Sequence, residues 1–293
     1  MVEQRRAGRV DAWLTLAGVS GDGLPAIAAE VERLGFARLW FPETPTSREA
    51  FTQAALLLAA TERLGVATGI ANVYARDATA AAAAGHTLEL AFPGRFVMGL
   101  GTSHAVRNAE RGHQHTKPLA YMASYLDSLN QTGRFNTGDA RAPVVLAALR
   151  PRMQDLARER AAGVHTFFVT PDHTAAARTL LGDRPLLVPQ QAFIITDDID
   201  AAMPLGAAYV ASRLALPNYV HHLQALGHTE VEVNGQATEK LVHEMVAIGG
   251  PDAVARRIEE HLAAGATRVA AHPLHAHDGG LAQLAALAEE IRP

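Results

Sequence analysis

Cysteine is absent from this chain. Disulfides, thiol nucleophiles and zinc–thiolate sites are therefore excluded. Aromatic residues are scarce at 5%, so the core must be built mostly from Ala, Leu and Val. No excess of positive charge exists: 26 basic residues face 30 acidic ones, a net charge of −4. That balance argues against nucleic acid or an anionic membrane surface as partner. No apolar run reaches the roughly 18 uncharged residues that a membrane span needs. Residues 1–6 (MVEQRR) hold no apolar segment of the secretory kind. The expectation is a cytoplasmic protein. What is present is 293 residues, 48% of them hydrophobic, enough for one large domain over 1–293.

The apolar residues come in a regular beat. Gly35, Gly65 and Gly94 each close a helical stretch and open a strand-like one. Their spacing of about 30 residues is the length of a βα step. Strands are expected at 10–18, 36–43, 66–73, 94–101, 143–149, 164–170, 185–196 and 267–274, the seventh kinked at Pro189. Helices are expected between them, among them an Ala-rich one capped by Asp77 and an extra one at 237–248. Eight strands, each followed by helical sequence, predict an α/β fold of the (β/α)8 TIM-barrel type, with insertions at its C-terminal face. An open doubly wound sheet is the alternative. The glycines at 18, 21 and 23 do not fit its G-x-G-x-x-G turn.

In such a barrel, chemistry sits where strands end. Those ends read Trp40-Phe-Pro-Glu43, Gly69-Ile-Ala-Asn72, Gly101-Thr-Ser-His104, Ala148-Leu-Arg-Pro151, Thr170-Pro-Asp-His173 and His272-Pro-Leu-His275. One strand-end carboxylate, Glu43, lacks the second that a glycosidase pair requires. No G-x-S-x-G elbow is present. Hydroxyls, backbone amides, Arg150 and histidines suit a polar, anionic, planar cofactor, its phosphate on the turns after the fourth and fifth strands. The two glycines before Thr102 would let backbone approach that ligand. Each residue also has a plainer reading: Glu43 as a partner of Arg48, Thr102 and Ser103 as helix caps, Arg150 as a surface residue. His272, His275, His277 and Asp278 cluster without matching carboxylates elsewhere, so no metal is expected.

Pro93-Gly-Arg-Phe-Val-Met-Gly-Leu-Gly101 resembles the GRF-x-x-GLG signature of the bacterial luciferase-like flavin and deazaflavin oxidoreductases. The segment 34–43 resembles that family's second strand, and 147–153, 168–174, 216–219 and 249–254 resemble an actinobacterial branch of coenzyme F420-dependent oxidoreductases. The resemblance implies a barrel with a deazaflavin or isoalloxazine ring across its mouth. It implies a bulge with a non-prolyl cis peptide around Ile70, Ala71 and Asn72, behind the ring. Trp40, Thr102, Ser103, Ala148, Leu149, Arg150, Thr170 and His173 would complete the cofactor site. Where relatives carry a histidine after the second strand, this chain has Pro42-Glu43. Glu43 or His104 is the candidate proton donor or orienter. The activity implied is F420-dependent hydride transfer to or from a small organic substrate. The alternatives are an FMN-dependent two-component monooxygenase and a non-catalytic cofactor-binding barrel. A homodimer is expected, with a flavin or deazaflavin reductase as a further partner.

Overall fold

The structure is a computed structural model that describes residues 8–114, 116–132, 135, 137–274 and 280–292. Eight parallel strands close on themselves. In spatial order they are β1 (Val10–Trp13), β2 (Arg38–Phe41), β3 (Gly65–Thr68), β5 (Phe96–Gly101), β6 (Val144–Ala147), β7 (Gly163–Thr166), β8 (Leu186–Ile195) and β10 (Val269–Pro273). Closure comes from Val10 in register with Val269. Two short strands sit outside the ring. β4 (Ala71–Asn72) resumes β3 beside β5, and β9 (Val246–Gly249) lies along the upper half of β8.

The helices follow local signals. α1 (Gly23–Arg33), α2 (Ala50–Ala59) and α3 (Ala78–Ala91) cover the first three strands. Asp77 caps α3, accepting from the Ala80 amide at 2.8 Å. α4 (Ala105–Ala109) and α5 (Pro118–Gln131) follow β5, and α6 (Pro151–Arg160) and α7 (Pro171–Leu181) follow β6 and β7. α8 (Ile199–Leu214), α9 (Pro217–Ala225) and α10 (Glu239–Met245) form the insertion after β8. α11 (Pro251–Ala263) and α12 (Leu281–Ile291) complete the ring. Proline opens α5, α6, α7, α9 and α11, where its missing N–H costs nothing.

Alternation along each strand sorts the core. Outward residues such as Leu39, Phe41, Val66, Phe96 and Leu146 pack under the helices. Inward residues Trp13, Trp40, Ala67, Val97, Val145, Val188 and Ala270 fill the barrel. The chain's two tryptophans therefore both stand inside it. At its lower end Asp11 accepts from Arg268 (2.6 and 2.9 Å) and from Trp40 Nε1 (2.9 Å), with Arg38 3.8 Å away.

Two expectations need correcting. The extra helix at 237–248 ends at Met245; Val246–Gly249 extend as β9, because β7 stops at Thr166, opposite Pro189, and leaves the upper edge of β8 open. β8 itself runs unbroken through Pro189, the last residue in register with β7.

Candidate cofactor and substrate site

The break between β3 and β4 shapes the mouth. Ala67 is in register with Val97 and Ala71 with Leu100. One strand thus takes one residue more than its neighbour, a β-bulge. The Gly69–Ile70 peptide within it is cis, at the leading edge of the expected Ile70–Asn72 segment. Ala71 and Asn72 turn away from solvent, and Ile70 is half-buried.

The GLG glycines serve this bulge. A Cβ on Gly99 would lie 1.8 Å from the Thr68 carbonyl oxygen. One on Gly101 would lie 2.6 Å from Ile70 Cδ1 and 3.0 Å from Ala147 Cβ. They admit the neighbouring bulge and the Ile70 side chain, a requirement within the fold that the sequence reading did not include.

Glu43 holds the same bulge from its other side. Its amide donates to Ile70 O (3.1 Å), and its carboxylate accepts from the Asn72 amide (2.7 Å) and pairs with Arg76. Side-chain exposures of 3% and 10% make this a buried pair. Glu49 joins Arg76 at 2.8 Å. Arg48, the partner considered from sequence, bonds the carbonyls of Leu16 and Val19 instead. The Asn72 side chain accepts from the Tyr74 amide and donates to Asn108 (both 3.0 Å), and Asn108 donates to Thr102 O (2.8 Å). The bulge, the β5 turn and α4 are thereby one hydrogen-bonded unit.

The remaining sequence candidates divide. Thr102, Ser103 and His104 are half-buried at the end of β5, with Ser103 at φ +57°. Left-handed backbone at a residue other than glycine concentrates at functional sites. Phe168, at the end of β7, is likewise at φ +61°. The His104 ring lies 5.3 Å from that of Tyr219 on α9. Trp40 is withdrawn from the mouth: it is buried, bonded to Asp11 and stacked on His165 at 4.6 Å. Ala71 and Ala148 point into the outer core, so only their backbone is available. His275, His277 and Asp278 lie outside the described residues, among which no metal-binding group of three ligands is found.

A histidine pair occupies the ends of β6 and β7. Thr170 caps α7 through the His173 amide. His173 Nε2 bonds Leu149 O at 2.9 Å, and its ring meets His222 edge-on at 4.9 Å. Both are buried, and His173 Nδ1 and His222 Nε2 have no hydrogen-bond partner. Burial lowers both pKa values. That of His222 falls to about 3, with His173, Arg150 and His228 adding repulsion. Arg150 reaches over to Asn218 Oδ1 at 3.0 Å. Orphaned ring nitrogens, a guanidinium and two helix starts at one place fit an anionic tail.

Sequence reasoning missed the aromatic floor. Trp13, Phe167, Tyr209, Tyr219 and His272 form a chain of ring contacts 4.1–6.3 Å apart across the mouth. The strand alternation that placed Trp40 also applied to Trp13. Tyr209 and Tyr219 come from the insertion, whose helices no strand-end reading reaches. An open surface groove of about 550 Å³, lined by Arg141, Pro143, Glu159 and Arg160, lies at the opposite end of the barrel.

The sequence profile of the luciferase-like monooxygenase family matches residues 7–268. The chain belongs to that family. Within it, a Mycobacterium tuberculosis protein provisionally named a coenzyme F420-dependent oxidoreductase is 27% identical, over 82% of this chain and 88% of its own. Among solved structures, an F420-dependent secondary alcohol dehydrogenase bound to an F420–acetone adduct superposes with a TM-score of 0.78 at 14% identity, covering 96% of this chain and 97% of its own. The oxygenating component of Pseudomonas putida 3,6-diketocamphane monooxygenase, bound to FMN, gives 0.69 at 16%, covering 98% of each chain. At these identities the structural likenesses carry the fold.

Proposed function

We propose that this luciferase-like barrel is a coenzyme F420-dependent oxidoreductase that passes hydride to or from a small organic substrate. The observation that carries the reading is the mouth itself: a bulge presenting Ile70, an aromatic floor, and an anion-seeking corner at Arg150, Thr170, His173 and His222. The F420 relative named above supports the choice of cofactor. When bound, the deazaflavin supplies the hydride chemistry. The protein's own groups position and shield. Ile70 backs the ring. Thr102, Ser103 and the backbone of Ala148 and Leu149 edge it, and Arg150, Thr170 and His173 hold the tail. Trp40 supports from inside the barrel. Glu43, with both oxygens engaged, anchors the bulge through Asn72 and Arg76. The proton role falls to His104, whose ring faces Tyr219 beside the mouth.

The reading includes a cytoplasmic, homodimeric, single-domain protein served by a separate reductase. No helix among the described residues is long and apolar enough to cross a membrane. The FMN-bound monooxygenase neighbour supports the second reading, an FMN-dependent two-component monooxygenase. Oxygen uptake on addition of reduced FMN separates the two: the first predicts none above the protein-free rate.

A further inference from the structure

Two arginines at the mouth are left over. Arg76 is spent on Glu43 and Glu49, Arg111 on Thr44 O, Arg48 on two carbonyls and Arg150 on Asn218. Arg213, on α8, has no acidic partner among the described residues; it bonds the Ser212 hydroxyl at 2.6 Å. Its guanidinium carbon stands 4.0 Å from the Tyr209 ring centroid and 5.5 Å from that of Phe167. Arg107, on α4, also lacks an acidic partner there. It follows His104, whose ring meets Tyr219, by three residues. Both arginines are half-buried, and both act electrostatically on the Tyr219 hydroxyl.

This pair is distinct from the tail corner. The groups acting on His222 are His173, Arg150 and His228; those acting on Tyr219 are Arg213, Tyr209 and Arg107. α9 carries both residues, and each faces its own basic group. A half-buried guanidinium group without a carboxylate loses hydration. An arriving anion reverses that cost. The fork of Arg213, laid on ring faces, is preorganised for a planar carboxylate. The rings beneath it suit an apolar body.

We infer that the substrate is an organic acid with an apolar or aromatic body, its carboxylate seated between Arg107 and Arg213 and its body over Phe167, Tyr209 and Tyr219. The inference names the substrate class of the oxidoreductase proposed above and rests on that reading.

The test uses the full chain loaded with F420, and calorimetric titration with benzoate and phenylacetate against benzamide and phenylacetamide. At least one acid should bind tenfold or more tighter than its amide. Arg213→Gln and Arg107→Gln should each erase most of that preference while the Kd for F420 stays within twofold. Arg213→Lys, which keeps charge without the fork, should retain part of it. Equal affinity for acid and amide, or no binding of either acid, overturns the inference. So do variants that lose F420 and keep the acid, because the arginines would then belong to the cofactor. If F420 alone does not bind the wild type, the cofactor reading has failed. The acid-over-amide preference is then measured on FMN-loaded and cofactor-free protein, where its absence still overturns the inference.

Discussion

Replacing Glu43 with Gln separates an anchor from a proton donor. The Glu43 carboxylate accepts the Asn72 amide at 2.7 Å and pairs with Arg76, both side chains buried. Glutamine keeps an oxygen for Asn72 and removes the charge facing Arg76. Breaking a buried ion pair by removing one partner costs about 3–5 kcal/mol. Arg76 still has half-exposed Glu49 at 2.8 Å, so the expected loss is smaller, about 2–3 kcal/mol on the same scale. Urea unfolding at pH 7.5 should show the midpoint falling by about 1 M or more at an unchanged slope, given slopes of about 1–3 kcal/mol/M. Because Glu43 N and Oε2 grip Ile70 O and the Asn72 amide, cofactor affinity should weaken about tenfold, while kcat at saturating cofactor falls less than fivefold. A hundredfold loss of kcat with stability and cofactor Kd unchanged would refute the anchor and restore Glu43 as the proton donor.

Other outcomes follow from the same geometry. Gly99→Ala puts a methyl against the Thr68 carbonyl, which is backbone and cannot swing aside, and should cost 3 kcal/mol or more. Gly101→Ala meets the Ile70 side chain at Cδ1 (2.6 Å) and Cγ1 (2.7 Å), which can shift where a carbonyl cannot; it should cost about 1–2 kcal/mol and show mainly as weaker cofactor binding. Equal melting temperatures for the two variants would contradict this account of the bulge. Stability should also fall in acid. Burial depresses His165 to about 4 and His222 and His261 to about 3, against 6.5 when unfolded. The unfolded chain therefore binds more protons below pH 6.5. The stabilisation is full above 6.5 and is lost as pH drops toward the folded values. At about 1.4 kcal/mol per group per pH unit, the three remove about 6 kcal/mol by pH 5, comparable with the whole stability of a domain. Urea midpoints at pH 7.5, 6 and 5 check this, and a flat profile counts against it.

Much of the fold was legible because its signals are local. Glycines 35, 65 and 94 mark the βα beat, Asp77 caps the helix expected of it, and apolar runs mark the strands. The failure at 237–248 was one of context: VAIG becomes a strand only because β8 has a vacant edge beyond Pro189. The candidate site was legible as a place and less so as roles. Its strand ends do converge, yet Glu43 spends its oxygens on a backbone amide and an arginine 33 residues away. Trp40 points down to Asp11, which no motif singles out. The Gly99 requirement arises from a carbonyl on the adjacent strand, a constraint between strands that a single chain's pattern does not reveal. Tyr209, Arg213 and Tyr219 reach the mouth from helices of the insertion, so alternation along the strands could not find them.

The central claim is that this mouth holds a deazaflavin. Fluorescence titration of the cofactor-free protein with F420, and separately with FMN, tests it most directly. The account predicts saturable F420 binding with a Kd below about 100 μM, tighter than about −5.5 kcal/mol, and weaker FMN binding. Tight FMN binding with no F420 binding up to that concentration would contradict it.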